Sequence, residues 1–162
     1  MDTKTEKLQI AVYFRYPKAP VDESVIEQRL DAMTSAVSAG NDRELVEVYT
    51  DIGISADKDN PFPGFAQMQQ DYNDGKFSAI LTEPPHSAYR EIDAGMDYLL
   101  ELRGIGAHII FTNGQTLAEL LAISIFRSTM QALTLVSSMA VQEMALLLGD
   151  DPQEAEQPVM PF

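Results

Sequence analysis

The chain has 162 residues, enough for one domain with a full hydrophobic core. It contains no cysteine, which excludes disulfides and thiolate metal sites. Acids outnumber bases 25 to 11, for a formal net charge of −14; phosphate backbones are held by surplus lysine and arginine, so tight autonomous binding to DNA is not expected.

Met1 to Lys7 is polar and lacks the apolar core of a signal peptide, and the expected location is the cytoplasm. Leu8 to Arg15 (LQIAVYFR) is rich in β-branched and aromatic residues and reads as a buried strand. Pro17 and Pro20 mark a loop. From Glu23 to Ser38, Val25, Leu30, Met33 and Val37 recur at roughly helical spacing, with Ser24 as the expected cap and Ala39-Gly40-Asn41 as the stop. Leu45 to Tyr49 alternates valine with glutamate and reads as a second strand. Asp51 to Pro63 reads as a long loop, Phe65 to Tyr72 as a short helix, and Ser78 to Thr82 as a third strand. After the break at Glu83-Pro84-Pro85, Tyr89 to Arg103 is an amphipathic helix and His108 to Thr112 a fourth strand.

Strands alternating with helices at this spacing predict an α/β fold. The expected architecture is three-layer, with a mostly parallel four- to five-stranded sheet of flavodoxin-like topology. Sites in such sheets lie beyond the carboxyl ends of the strands. In this chain those ends are Arg15 to Pro20, Asp51 to Ser55, Glu83 to Tyr89 and Asn113 to Gln115. No glycine-rich phosphate loop or Cys/His cluster appears, and no cofactor or metal is expected.

Leu117 to Leu148 is a long apolar stretch in which only Glu119, Arg127 and Glu143 are charged. Its Ser, Thr and Gln content, with Arg127 and Glu143, argues against a membrane span. As one helix it would expose Leu133, Leu135, Val136, Met139, Val141 and Met144, and apolar surface of that extent marks an interface. The alternative is two helices folded back on one core. The expected divisions are an α/β domain over 1–115, an oligomerisation helix over 116–148 and an acidic, disordered tail over 149–162.

Several stretches together resemble the catalytic domain of the serine recombinases, the family of resolvases, invertases and large serine integrases. AVYFR (Ala11 to Arg15) resembles the family's first strand with its Tyr-x-Arg ending. VEVYTDIGIS (Val46 to Ser55) is similar to its second strand and Asp-x-Gly-x-Ser turn. PGFAQMQQDYNDGKFSAIL (Pro63 to Leu81) matches the following helix, Gly-Lys turn and third strand, and the pattern continues to FTNG at Phe111 to Gly114. The resemblance covers roughly residues 8 to 148. It implies a resolvase-like fold with a long interface helix and chemistry in which a serine attacks a DNA phosphodiester without metal. An arginine cluster stabilises the phosphoryl charge.

The same resemblance shows what is missing. The nucleophile, two residues past Arg15, falls on Pro17, which has no hydroxyl. The Asp-Arg-x-x-Arg segment after the third strand falls on Pro85, His86 and Tyr89. The arginine expected before the next helix falls near Phe62, and the Glu-Arg pair of the long helix near Ser137 and Ser138. Arg15, Asp51 and Ser55 match. The expected vestigial site is therefore Arg15, Pro17, Asp51, Ser55, His86 and Tyr89, with no catalytic residue. Ser55 reads as closing its turn and His108 as structural. His86 is open as a general base, and Arg15 is expected to bridge to Asp51 unless it keeps a function.

Three functional readings follow. The first is a catalytically inactive, recombinase-like protein associated with DNA recombination or mobile elements. It acts as a homodimer or higher homo-oligomer, or with an intact serine recombinase, and binds DNA weakly or not at all. The second is an active recombinase with a displaced nucleophile such as Tyr16. The third is an unrelated flavodoxin-like binding or signalling domain.

Overall fold

The computed structural model describes residues 6–16, 22–53, 62–85 and 92–149. The chain divides into two units, Met1–Ser124 and Ile125–Phe162. The first unit holds strands β1 (Leu8–Tyr16), β2 (Arg43–Ile52), β3 (Ala79–Thr82) and β4 (His108–Phe111) and helices α1 (Glu23–Ser38), α2 (Pro63–Asn73) and α3 (Ile92–Ile105). It also holds the first turns of helix α4 (Leu117–Leu148), which continues through the second unit.

All pairings among the described strands are parallel, in the order β2-β1-β3-β4. The expected α/β architecture therefore holds, with four strands. β1 is central because its residues are apolar on both faces. Ile10, Val12 and Phe14 point into one core with Ile26, Met33 and Val37 of α1. Ala11 and Tyr13 point into the other with Met68 of α2, Tyr98, Leu99, Leu102 and Ile105 of α3, and Leu120 of α4. The period-two alternation of β1 thus defines the three layers.

Two local expectations change. The buried stripe of α1 is Ile26, Leu30, Met33 and Val37, in steps of four, three and four, whereas Val25 is exposed. The cap is Asp22, whose Oδ1 accepts from the Ser24 amide at 3.0 Å and from its hydroxyl at 2.6 Å, so Ser24 donates rather than caps. β2 is longer than its alternating segment and runs to Ile52, past Asp51.

Leu117–Leu148 is one continuous helix of 32 residues, not two folded back, and reaches roughly 48 Å at about 1.5 Å per residue. Leu117, Leu120 and Leu121 belong to the core of the first unit. In the second unit, Leu133, Leu135, Val136, Met139, Val141 and Met144 are all exposed. Among the described residues, α4 alone is long and apolar enough to cross a membrane by length and composition, so composition is a weaker argument against a span than the sequence reading held. Gly149 stops the helix at φ 75°, a conformation that favours glycine.

Candidate functional site

The sheet order reverses between β1 and β3, and the residues beyond the carboxyl ends of these strands are where an open α/β sheet builds sites. Tyr13 and Arg15 lie two residues apart on β1 and share a face. Arg15 pairs in register with Asp51 of β2. Both strands therefore deliver polar groups to the layer that α2 and α3 cover.

Asp51 is fully buried. Its Oδ1 accepts from the Gly64 amide at 2.8 Å, and its Oδ2 accepts from the Phe65 amide at 2.9 Å and the Tyr13 hydroxyl at 2.8 Å. Asp51 thereby caps α2 from a neighbouring strand: the helix's own N-cap residue, Phe62, supplies no side-chain cap. The close approach needs Gly64, because a Cβ there would lie 2.5 Å from the Thr50 carbonyl oxygen. Burial pushes the Tyr13 phenol well above its ordinary range, so it remains a protonated donor to Asp51.

Arg15 is 5% exposed. Its Nε donates to the Tyr13 hydroxyl at 2.7 Å and its Nη1 to Glu101 Oε2 at 2.9 Å. The ion pair is thus with Glu101, not with Asp51 as the sequence suggested; Asp51 is joined to Arg15 through Tyr13. The reason is that Asp51 spends its oxygens on the amides of α2, while α3 brings Tyr98 and Glu101, one turn apart, to the guanidinium. The guanidinium carbon sits 3.6 Å from the centroid of the Phe62 ring, 4.7 Å from that of Tyr98 and 5.2 Å from that of Phe65. An aromatic ring thus covers Arg15 from the position where the resemblance puts a second arginine. Tyr98 is fixed in turn by a 2.6 Å hydrogen bond with Thr82 of β3.

Tyr16, the residue raised as a displaced nucleophile, packs against the α1 core on the face opposite Arg15. Its ring stacks on Phe14 and lies near the Arg29 guanidinium, which pairs with Glu83 through both carboxylate oxygens. Pro85, at the aspartate place of the resemblance, is buried. Pro17, Ser55, His86 and Tyr89 lie outside the described residues. The structure brings Arg15 and Asp51 into one cluster, and adds Tyr13, Phe62, Phe65, Tyr98 and Glu101. Sequence reasoning passed over Glu101 and Tyr98 as ordinary residues of an amphipathic helix. Their spacing of three was the available signal. No group of three potential metal ligands occurs among the described residues.

Residues 10–147 match the family described as "Resolvase, N terminal domain". No curated protein matches the chain. Among solved structures, the N-terminal catalytic domain of TP901-1 integrase is similar, with a TM-score of 0.54 and 18% identity over 76% of this chain and 98% of that one. A resolvase family site-specific recombinase from Streptococcus pneumoniae is similar with a TM-score of 0.52 and 20% identity, over 93% of this chain and all of that one. At such identities these structures speak to the fold alone.

Proposed function

Because the chain belongs to the resolvase family through its N-terminal domain, we propose that it is a catalytically silent member of that family which acts by association through α4. The observation that carries the silent reading is the enclosure of Arg15. A transition-state arginine must meet a phosphoryl oxygen, yet here Glu101 takes Nη1 and the Phe62 ring covers the guanidinium. Pro17 at the nucleophile place and Tyr16 on the opposite core point the same way.

The second half of α4 supports association. Arg127, Gln131, Thr134, Ser138 and Gln142 recur in steps of four, three, four and four and form one narrow polar stripe. Apart from Glu143, the long side chains outside that stripe are apolar and exposed. Thr129, Thr134 and Ser138 turn their hydroxyls back onto carbonyls of their own helix at 2.8–2.9 Å. These three hydroxyls are thus satisfied within the helix, and the exposed surface outside the stripe is mainly apolar. The partners proposed are further copies of the chain or an intact serine recombinase. A cytoplasmic, membrane-free role agrees with α4 lying within the residues of the family match. The acidic balance of −14 agrees with weak or absent DNA binding by this chain alone.

The test is a pool of nicked suicide duplexes of randomised sequence, resolved on a denaturing gel. No covalent protein–DNA adduct is expected. An adduct would restore the reading of an active recombinase, and its loss in Tyr16→Phe would identify the nucleophile.

A further inference from the structure

The two flanks of α1 differ. On one, Arg29 pairs with Glu83, just past β3, through both carboxylate oxygens and lies near the Phe14 and Tyr16 rings. On the flank toward β2, the edge strand, Glu23, Glu27 and Asp31 follow one another in steps of four and form one row. All three are exposed, and none forms an ion pair among the described residues. Like charges at this spacing repel one another along a helix. Beside the row, a groove of about 440 Å³ lies between α1 and the end of β2. Ile26, Leu30 and Ile52 make its apolar floor, and the three carboxylates make its rim.

The chemistry of an occupant follows from this division. The floor calls for apolar side chains. The carboxylates are spread over about two helical turns, roughly 12 Å at about 1.5 Å per residue. No group of three potential metal ligands occurs among the described residues, so several separated cations fit the rim better than one metal ion. An added strand would meet a blocked edge, since the Val48 amide of β2 already donates to Glu47 Oε1 at 3.0 Å. A second copy's α4 does not fit either, because it carries one cation, Arg127, against a row of three carboxylates.

We propose that this groove docks a basic amphipathic helix of a partner protein. Its apolar residues rest on Ile26, Leu30 and Ile52, and its lysines or arginines, one turn apart, lie along Glu23, Glu27 and Asp31. The net charge of −14 steers such a partner toward the chain and hastens the encounter. The inference is independent of the catalytically silent reading and of association through α4.

The full chain is titrated, at about 0.15 M salt, into a fluorescein-labelled helical peptide with leucines on one face and lysines along the borders of that face. Binding is read by fluorescence anisotropy. Wild type is expected to bind with a micromolar Kd. The same peptide with serine for leucine, or with glutamate for lysine, should bind at least tenfold more weakly. Reversing the row, with Glu23→Lys, Glu27→Lys and Asp31→Lys combined, should weaken the lysine peptide at least tenfold and admit the glutamate peptide. Glu27→Lys alone should show a smaller loss even if the triple variant is poorly folded. Glu44→Lys on β2 and Glu143→Lys on α4 make the same single charge change at exposed positions elsewhere, and should leave Kd near that of wild type. No binding by wild type, equal binding of the serine peptide, no loss in the row variants, or a loss in Glu44→Lys or Glu143→Lys as large as in Glu27→Lys would each overturn the inference.

Discussion

The cluster around Arg15 and the second half of α4 meet opposite demands. In the cluster, charged and polar groups are buried and matched to one another: Asp51 with the amides that open α2, Tyr13 with Asp51, Arg15 with Tyr13 and Glu101. In α4 beyond Ile125, apolar side chains are exposed among the described residues, while the hydroxyls of Thr129, Thr134 and Ser138 are satisfied inside the helix. One region finds its polar partners within the chain; under the proposed function the other finds its apolar partners in a second chain. The buried polar frame ties β1 and β2 to the start of α2 and to α3.

The largest expected effect tests the first half of that contrast. Asp51→Ala leaves two helix-opening amides and a buried phenol without an acceptor, and should cost about 3–5 kcal/mol. Urea unfolding should show a clearly lower midpoint at unchanged slope. A loss under 1 kcal/mol would mean that water or backbone shifts replace Asp51, and that the frame is dispensable.

Leu135→Glu tests the other half. Burying a leucine side chain contributes about 1.5–3 kcal/mol, and a glutamate there would place a charge in the proposed interface. Sedimentation at about 10 µM, where dimers with Kd near 1 µM would already form, should show wild type as a dimer or larger, and the variant as monomer or insoluble protein. A stable wild-type monomer would end the self-association reading and leave an intact serine recombinase as the partner proposed for the apolar surface of α4.

The two regions also differ in how much of each the sequence revealed. Element order and parallel topology were legible because β1 is apolar on both faces and the strands alternate with amphipathic helices. The exposed side of α4 was legible because a single helix of that length outruns a small core. The partners of Arg15 were not legible. Sequence reasoning paired it with Asp51, its neighbour across the strands, but could not see that an uncapped α2 would claim that carboxylate. Glu101 lies 86 residues away, and on α3 it looked like any solvent-facing acid. Phe62 was noted only as an absent arginine. That its ring would cover the remaining one depends on the path into α2, which no local pattern encodes.

Phe62→Ala sharpens the contrast at lower cost. It removes the ring 3.6 Å from the Arg15 guanidinium carbon, a contact worth about 0.5–2 kcal/mol when desolvated. A loss of about 1–2 kcal/mol in unfolding free energy is expected, with the ion pair to Glu101 retained. Combining it with Glu101→Ala should be non-additive, since both act on one guanidinium. Additive losses would mean that the ring and the carboxylate hold Arg15 independently.

The smallest effect concerns a second buried carboxylate, which asks whether self-sufficiency of polar groups extends across the first unit. Asp71 at the end of α2 accepts from Lys76 Nζ at 2.7 Å, from the Tyr49 hydroxyl at 2.6 Å and from Gln67 Nε2 at 3.0 Å. The Lys76 hydrogen bond, followed by that of Tyr49, holds the Asp71 carboxyl below the ordinary aspartate value of 3.8. A carboxyl depressed in the folded state binds its proton more weakly there than in the unfolded chain. Its contribution is therefore fully present above the unfolded value and disappears as pH falls through the lower folded one. Asp71→Asn should accordingly be less stable than wild type at neutral pH, and the difference should shrink as pH drops below about 3.8. Lys76 is half exposed, so added salt should weaken the ionic part of the effect while sparing the Tyr49 bond. Chemical unfolding across this range measures the difference directly. A gap that stays constant into strong acid would assign Asp71 a packing role only, and would confine the matched polar frame to the cluster around Arg15.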